Sequence, residues 1–321
     1  MGKYVAPLHE FRAENCQECG GKAANLGELI NLGINVPPGF CVKSNVYYYL
    51  VESNNINERI TRIVENINFS NPKDMEEKTA QIRPLIINAN LPKDLQEELL
   101  QNYQNLKEVV GKEPMVAVRS SVAVKDSDIS SFPGLMDTYH YICGFEPILQ
   151  KIKECIASVW TSRATFIRHR KKIEHSNALI TAIVQQMVDS EVSGVMFTVN
   201  PMTSSPSEVL ITSCWGLGEL IVSGECTADM YILNKTDLSL KSSNIAHTPE
   251  MVVFDDELGK GTKKVPVPQE KANMRTLNDA QLKELGNIGL TIEKHYGAFQ
   301  DIEWAYMKGQ LYILQTRKAR V

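Results

Sequence analysis

The sequence predicts an α+β protein of two lobes, and three observations carry that reading. Residues 44–110 read as helices, a second apolar stripe at helical spacing runs over 147–172, and from Ala178 onward the period shortens to that of strands. A chain of 321 residues, 43% apolar and 22% charged, can bury one large core or two medium ones. The lobes are expected at 1–184 and 185–321.

The first element is a glycine pair opening a helical pattern, Gly20-Gly21-Lys22-Ala23-Ala24-Asn25-Leu26-Gly27-Glu28-Leu29, followed by the turn Val36-Pro37-Pro38-Gly39-Phe40. Glycines at a helix start leave amides and the positive end of the dipole facing outward, and Lys22 sits where its ammonium could reach a phosphate. This is no Walker A loop, because the glycine spacing and the Lys-Ser/Thr pair are missing. A helix start with a solvated lysine is the plainer alternative. The stretch 44–110 offers little chemistry, with breaks near 71–74 and a proline start at 92.

The densest segment is 115–139, MVAVRSSVAVKDSDISSFPGLMDTY. An apolar strand, Met115 to Val118, fixes the backbone, and the planar guanidinium of Arg119 follows, matching two phosphate oxygens at once. Ser120, Ser121, Ser130 and Ser131 add hydroxyls, and Pro133 and Gly134 shape a turn whose amides could approach a ligand. A surface ion pair and an ordinary serine loop would explain the same residues. Over 147–172 the residues Ile148, Ile152, Cys155, Ile156, Val159 and Trp160 form one buried stripe. The basic run Arg163, Arg168, Arg170, Lys171, Lys172 then reads as its solvated end.

From Ala178 the apolar runs ALITAIVQQMV, VSGVMFTV, EVLITSCW and ADMYILNK are broken by Gly, Pro and Ser and read as strands of the second lobe. A helix is expected to start at Thr276-Leu277-Asn278-Asp279 and to bury Leu282, Leu285, Ile288 and Ile292. The C-terminal hairpin pairs 301–307 with 311–317 around the turn signal Lys308-Gly309.

In order along the chain, GGKxxNLGE, VPPGF, VRSS, SFPGLMDTY, QQMVDSEVSGVMFTVNP, Gly216-Leu217-Gly218-Glu219, DIEW and LYILQTR resemble the ATP-binding domain of the dikinase family, over about Gly20 to Arg317. That family includes phosphoenolpyruvate synthase, pyruvate phosphate dikinase, rifampin phosphotransferase and phenylphosphate synthase. The resemblance implies an ATP-grasp-like fold whose two lobes hold ATP and Mg2+ in the cleft between them. It implies phosphate contacts and catalytic roles for Lys22, Arg119 and Arg317, a nucleotide contact at Gly134, lid residues at Asp137 and above all Thr138, and an adenine hinge at Gln185, Gln186 and Met187. Glu219 corresponds to a residue near the ribose or metal, with a solvated loop glutamate as the alternative, and Glu303 and Gln315 to magnesium ligands. Both ligands can meet one ion only from the same face of the hairpin, whereas a regular two-residue turn at 308–309 would pair Glu303 with Leu314. A three-residue or bulged turn is therefore expected, with Gly309 at positive φ.

The resemblance also implies a reaction: ATP is cleaved to AMP and phosphate while the β-phosphoryl passes through a histidine on a swivelling domain to a small acceptor. None of the six histidines here sits in such a motif, and the QTR segment runs into Lys318 where many relatives carry proline. The expected partner is therefore a histidine-bearing domain or separate subunit, an arrangement that resembles phenylphosphate synthase, or else the chain is part of a longer enzyme. A nucleotide-sensing module that binds ATP without transfer is the competing class. A nicotinamide enzyme built on GLGE has little support, since the match to a dinucleotide fingerprint is too short.

A net charge of −4 without a basic stripe excludes nucleic acid as the expected partner, and no apolar run reaches the roughly 18 residues of a membrane span. The expected location is cytoplasmic. Seven cysteines, an odd number scattered through apolar patterns, fit reduced thiols. Cys16-Gln17-Glu18-Cys19 reads either as a coincidental pair or as half of a zinc or redox site.

Overall fold

The computed structural model describes residues 2–123, 138–175, 180–225 and 227–320, with backbone alone at 222 and 223. Helices and antiparallel sheets are mixed along the chain, which makes it α+β. Two compact units are present, residues up to 28 together with 38–187, and 29–37 together with 188–321.

The first unit runs β1 (Val5–Pro7), α1 (Cys16–Asn31, its last three residues counted with the second unit), β2 (Gly39–Val42), α2 (Asn45–Ser53), α3 (Asn57–Glu65), α4 (Pro72–Ile87) and α5 (Lys93–Val110). It continues with β3 (Met115–Val122), β4 (Thr138–Cys143), α6 (Phe145–Ala157), α7 (Ser162–Arg170) and β5 (Ile180–Gln186). Its sheet has the order β1-β2-β5-β3-β4. Alternation sorts the strands into two faces. Phe40, Val42, Val116, Val118, Ala182 and Val184 meet Leu50, Ile82, Ile86, Leu99, Ile148, Ile152 and Ile156 in one core. Each such side chain fully withdrawn from water contributes about 1.5–3 kcal/mol, so this face is closed by helices for stability. The other face carries Arg119, Ile183, Gln185 and Cys41.

Local signals set the helix ends. Asn71 accepts from the amides of Lys73 and Asp74 with Pro72 at the first helical position, which starts α4. Gly111 at φ 74° ends α5. The stripe over 147–172 is buried as expected but is not one helix. A single 3-10 turn, Ser158–Trp160, and the extended Thr161, whose hydroxyl accepts from the Ala164 amide, separate α6 from α7.

Two sequence expectations are corrected here. The strand read as opening the second lobe, β5, is the central strand of the first sheet, between β2 and β3. Its continuous burial from Ile180 to Gln185 reflects cover on both faces rather than the start of a new lobe. Arg168 is not part of a solvated helix end. It is buried, donates to the Val159 carbonyl and the Thr165 hydroxyl, and lies over the Trp160 ring at 5.0 Å.

The second unit contains β6 (Val192–Phe197), β7 (Glu208–Trp215), α8 (Glu219–Ser223), β8 (Asp229–Asn234), β9 (Leu240–Asn244), β10 (Glu250–Phe254) and β11 (Thr262–Pro266). It ends with α9 (Asp279–Tyr296), β12 (Gln300–Met307) and β13 (Gln310–Lys318). Six strands form one antiparallel sheet, β13-β12-β6-β7-β8-β9, and β10 pairs with β11 in a separate hairpin. α9 starts with the expected capping box, Asn278 with Gln281, and buries Leu282, Leu285 and Ile292. It covers the sheet face of Met196, Trp304 and Ile302, and its Gly289 makes room for the tip of Met196, which would stand 2.8 Å from an added Cβ. The opposite face carries half-buried Val195, Phe197, Thr212, Met230, Ile232 and Glu303.

Candidate functional site

In the first unit the glycine pair and the VRSS strand meet. Gly20 has φ 75° and ψ 158°, a backbone state open to glycine, and it kinks α1 so that the helix proper starts beyond it. A Cβ at Gly20 would collide with the Ser121 hydroxyl. The close approach lets the Lys22 amide donate to Ser121 Oγ at 3.2 Å and its ammonium to the Ser120 carbonyl at 3.1 Å. Arg119 lies one residue away, half-buried and opposite Thr138 of β4. Two expectations change. Arg119 is inside a strand that runs to Val122 rather than beyond its end, and Ser120 and Ser121 are buried, with Ser121 engaged by Lys22 instead of offering a hydroxyl to solvent. Gly134, with Ser130, Ser131, Pro133 and Asp137, lies outside the described residues. Thr138 is exposed at the start of β4.

Gln185 is buried on the Arg119 face, opposite Ala117 and Gly39. Gln186 and Met187 are half-buried at the strand end, where the Gln186 amide donates to the Pro38 carbonyl and the Met187 amide to the Met115 carbonyl, each at 2.9 Å. Both N–H groups are thus satisfied by main-chain carbonyls of the same unit.

The C-terminal hairpin closes through two residues, Lys308 at φ 52° and Gly309 at φ 75°, with Met307 opposite Gln310. Gly309 has the expected positive φ. The irregularity, however, is not in the turn. Register shifts between Glu303 and Trp304, where Trp304 faces Ile313 and Glu303 faces Gln315, leaving Leu314 as the extra residue of a bulge. Gln315 Nε2 then donates to Glu303 Oε1 at 3.2 Å. One step further along, Asp301 faces Arg317, whose Nε and Nη2 both reach Asp301 Oδ2, at 2.8 and 2.7 Å. Asp301 was not singled out by the sequence reading, although its place two residues before Glu303 puts it on the same strand face. Burial raises its carboxyl pKa, opposed by the Arg317 charge and reinforced by Glu303.

Glu219 opens α8. The loop before it lies against the same sheet face, since Ser193, two residues from Val195 opposite Glu303, donates from Oγ to the Gly216 carbonyl at 2.7 Å. The second unit thus brings Glu303, Gln315 and Arg317 together, with the Glu219 loop on their side of the sheet. The pair Glu303 and Gln315 suits a hard cation, because a carboxylate and an amide oxygen are the ligands magnesium takes while keeping waters and binding substrate phosphates. Among the described residues no group of three or more His, Cys, Asp or Glu side chains is placed to hold a metal.

Cys16 and Cys19 lie at the start of α1, ahead of the Gly20 kink. Cys19 is buried, its thiol donates to the Asn15 carbonyl, and burial pushes its pKa up to about 12; burial raises Cys16 too. Among the described residues no helix is long and apolar enough to cross a membrane.

Residues 16–321 match the family described as pyruvate phosphate dikinase, AMP/ATP-binding domain. The chain is similar to a probable phosphoenolpyruvate synthase of Pyrococcus horikoshii, 39% identical over 98% of this chain and 43% of that protein. It is also similar to a phosphoenolpyruvate synthase of Pyrococcus furiosus, 38% identical over 98% of this chain and 43% of that protein, and to a probable one of Methanothermobacter thermautotrophicus, 38% identical over 99% and 46%. The chain spans less than half the length of these relatives. With the match running over all but the first 15 residues, this chain belongs to the pyruvate phosphate dikinase AMP/ATP-binding domain family.

Proposed function

We propose that this chain binds MgATP and activates its β-phosphoryl group for transfer to a histidine on another domain or subunit, as part of a dikinase-type phosphotransferase. The observation that carries the reading is the hairpin register, which a bulge adjusts so that Glu303 and Gln315 stand side by side with the Asp301–Arg317 pair next to them. The fold proposed is ATP-grasp-like. Glu303 and Gln315 would hold Mg2+, with the amide turned to present its oxygen. The ion supplies charge neutralisation between phosphates when bound.

The chain's own residues account for the rest. Lys22 is tethered by its amide to Ser121, so its ammonium starts from a fixed backbone, and Arg119 projects from a strand held on both sides. Fixed cations beside a triphosphate stabilise the charge that builds on transferring oxygens without having to reorganise. Arg317 is held in orientation by Asp301 and would contact phosphate. Gln185, Gln186 and Met187 would line the adenine end, Glu219 the ribose or metal, and Thr138 the lid over the phosphates. Relatives named phosphoenolpyruvate synthase favour transfer over mere sensing, and a three-carbon keto acid such as pyruvate as final acceptor over phenol.

The test is to mix the chain with Mg2+, ATP labelled at the β-phosphate and a histidine-bearing swivelling domain of this family. Label on the histidine together with AMP release is expected. Tight nucleotide binding with neither product would overturn the reading.

A further inference from the structure

The hairpin β10–β11 has no part in the function argued so far, yet three of its residues grip the short element that carries Glu219. Before α8, the Leu217 amide donates to the Val252 carbonyl at 2.9 Å, and Gly216 pairs with Val252 in a parallel bridge. Gly216 is at φ 74°, and a Cβ there would collide with that same carbonyl. Beyond α8, Lys264 forms an ion pair with Glu225 at 2.9 Å. Between these two anchors, Thr262 Oγ1 donates to Glu219 Oε2 at 3.2 Å. A cavity of about 270 Å3 lies between α8 and the hairpin, and Glu219, Val252, Thr262 and Lys264 are among its lining residues.

The hairpin is itself stiffened at its tip. Lys263 reaches Asp256 at 2.7 Å and Glu257 at 3.2 Å, and the Asp255 carboxylate accepts from the amides of Glu257 and Leu258. On the other side of the Gly216 turn, Ser190 and Ser193 both donate to the Gly216 carbonyl, at 2.9 and 2.7 Å. The turn is therefore held by two hydroxyls, one from β6 and one from the segment just before it, and from the hairpin by a carbonyl. Helix propensity cannot hold five residues in place alone. Tertiary anchors do so here.

We propose that the β10–β11 hairpin is a positioning clip for the nucleotide site, in which Thr262 orients the Glu219 carboxylate while Val252 and Lys264 fix the two ends of its helix. The inference rests on the reading of Glu219 as a nucleotide or metal contact. A hydroxyl held on one oxygen restricts the rotation of the whole carboxylate, which lowers the ordering cost when ligand arrives. Thr262 is a positioning residue and need not touch ATP.

The experiment is calorimetric titration of MgATP into the chain and its variants, with thermal unfolding followed alongside. Thr262→Val is expected to weaken binding about fivefold to tenfold, the size of one net hydrogen bond, while Thr262→Ser restores it. In a Glu219→Ala background, Thr262→Val is expected to change nothing further. Wild-type affinity in Thr262→Val, alongside a weakened Glu219→Ala, would overturn the clip and leave the role of Glu219 standing. Additive losses in the double variant would also overturn it, because Thr262 would then act elsewhere. Wild-type affinity in Glu219→Ala would remove the premise instead. Thr262→Ser guards against misfolding, since it keeps the hydroxyl and binds normally if the hydroxyl is the cause.

Discussion

Glu303 and Gln315 stand opposite each other in the β12–β13 ladder, 3.2 Å apart from oxygen to nitrogen, because the ladder skips Leu314. A regular ladder from the same two-residue turn would have set Leu314 there and turned Gln315 to the face under α9.

If the pair holds magnesium, Glu303→Gln and Gln315→Leu should each weaken ATP binding about 10-fold to 100-fold in Mg2+, by the loss of 1.5–3 kcal/mol per charged contact. Removing the metal from the wild-type protein should weaken binding by a similar factor, and removing it from the double variant should do little more. Titration with and without EDTA checks both. Arg119→Ala and Glu303→Gln should abolish labelling of the partner histidine with circular dichroism unchanged.

The Asp301–Arg317 pair is asymmetric, with Asp301 side chain 9% exposed and Arg317 48%. Arg317→Ala strands a buried carboxylate, whereas Asp301→Asn leaves an arginine that water can reach. Arg317→Ala is therefore expected to lower stability more, by about 1–3 kcal/mol, and to raise the Asp301 pKa further. Urea unfolding of the two variants, with carbon NMR titration of Asp301, measures this.

Gly20→Ala should both strain the backbone at φ 75° and push the new methyl into Ser121. A loss of at least about 1–2 kcal/mol is expected, with weaker ATP binding, because the Lys22 amide contact depends on that approach. Gly21→Ala meets nothing closer than the Cys16 sulfur at 3.9 Å and should be tolerated. Melting curves for the pair separate the two positions.

His175 is held neutral. Its pKa is lowered from 6.5 to about 4, first by burial and then by the charges of Arg168 and His169, and Arg168 Nε donates to its Nδ1 at 3.4 Å. A depressed histidine pKa means the unfolded chain binds the extra proton first. The stabilising effect is complete above pH 6.5 and is lost as pH falls from there towards 4. His175→Gln should flatten stability across that window, as chemical denaturation at stepped pH would show.

Features fixed by neighbours in sequence were legible: the Asn278 capping box, the Lys308-Gly309 turn, the buried stripe from Ile148 to Trp160 and the motif residues themselves. What was not legible depends on partners distant in the chain. Nothing local tells that β5 returns to the first sheet, since an apolar strand looks the same beside any neighbour. Arg168 read as solvated because a cation ends helix α7 favourably, but the Val159 carbonyl and Trp160 ring that receive it come from the preceding turn. The constraint that Glu303 and Gln315 share a face was deducible, while the residue that yields, Leu314, was not. Asp301 escaped because its role shows only once Arg317 is seen across from it.

The sheet of the second unit is sealed by α9 on one side, while the other keeps Val195, Phe197, Thr212, Met230 and Ile232 only half-buried. A side chain that surrenders little area to water when replaced carries a small penalty for replacement. For the nucleotide site proposed on that side, ligand preference would therefore drift by single substitutions while the scaffold beneath stays intact, whereas Trp304 or Ile302 on the sealed side allow no such freedom.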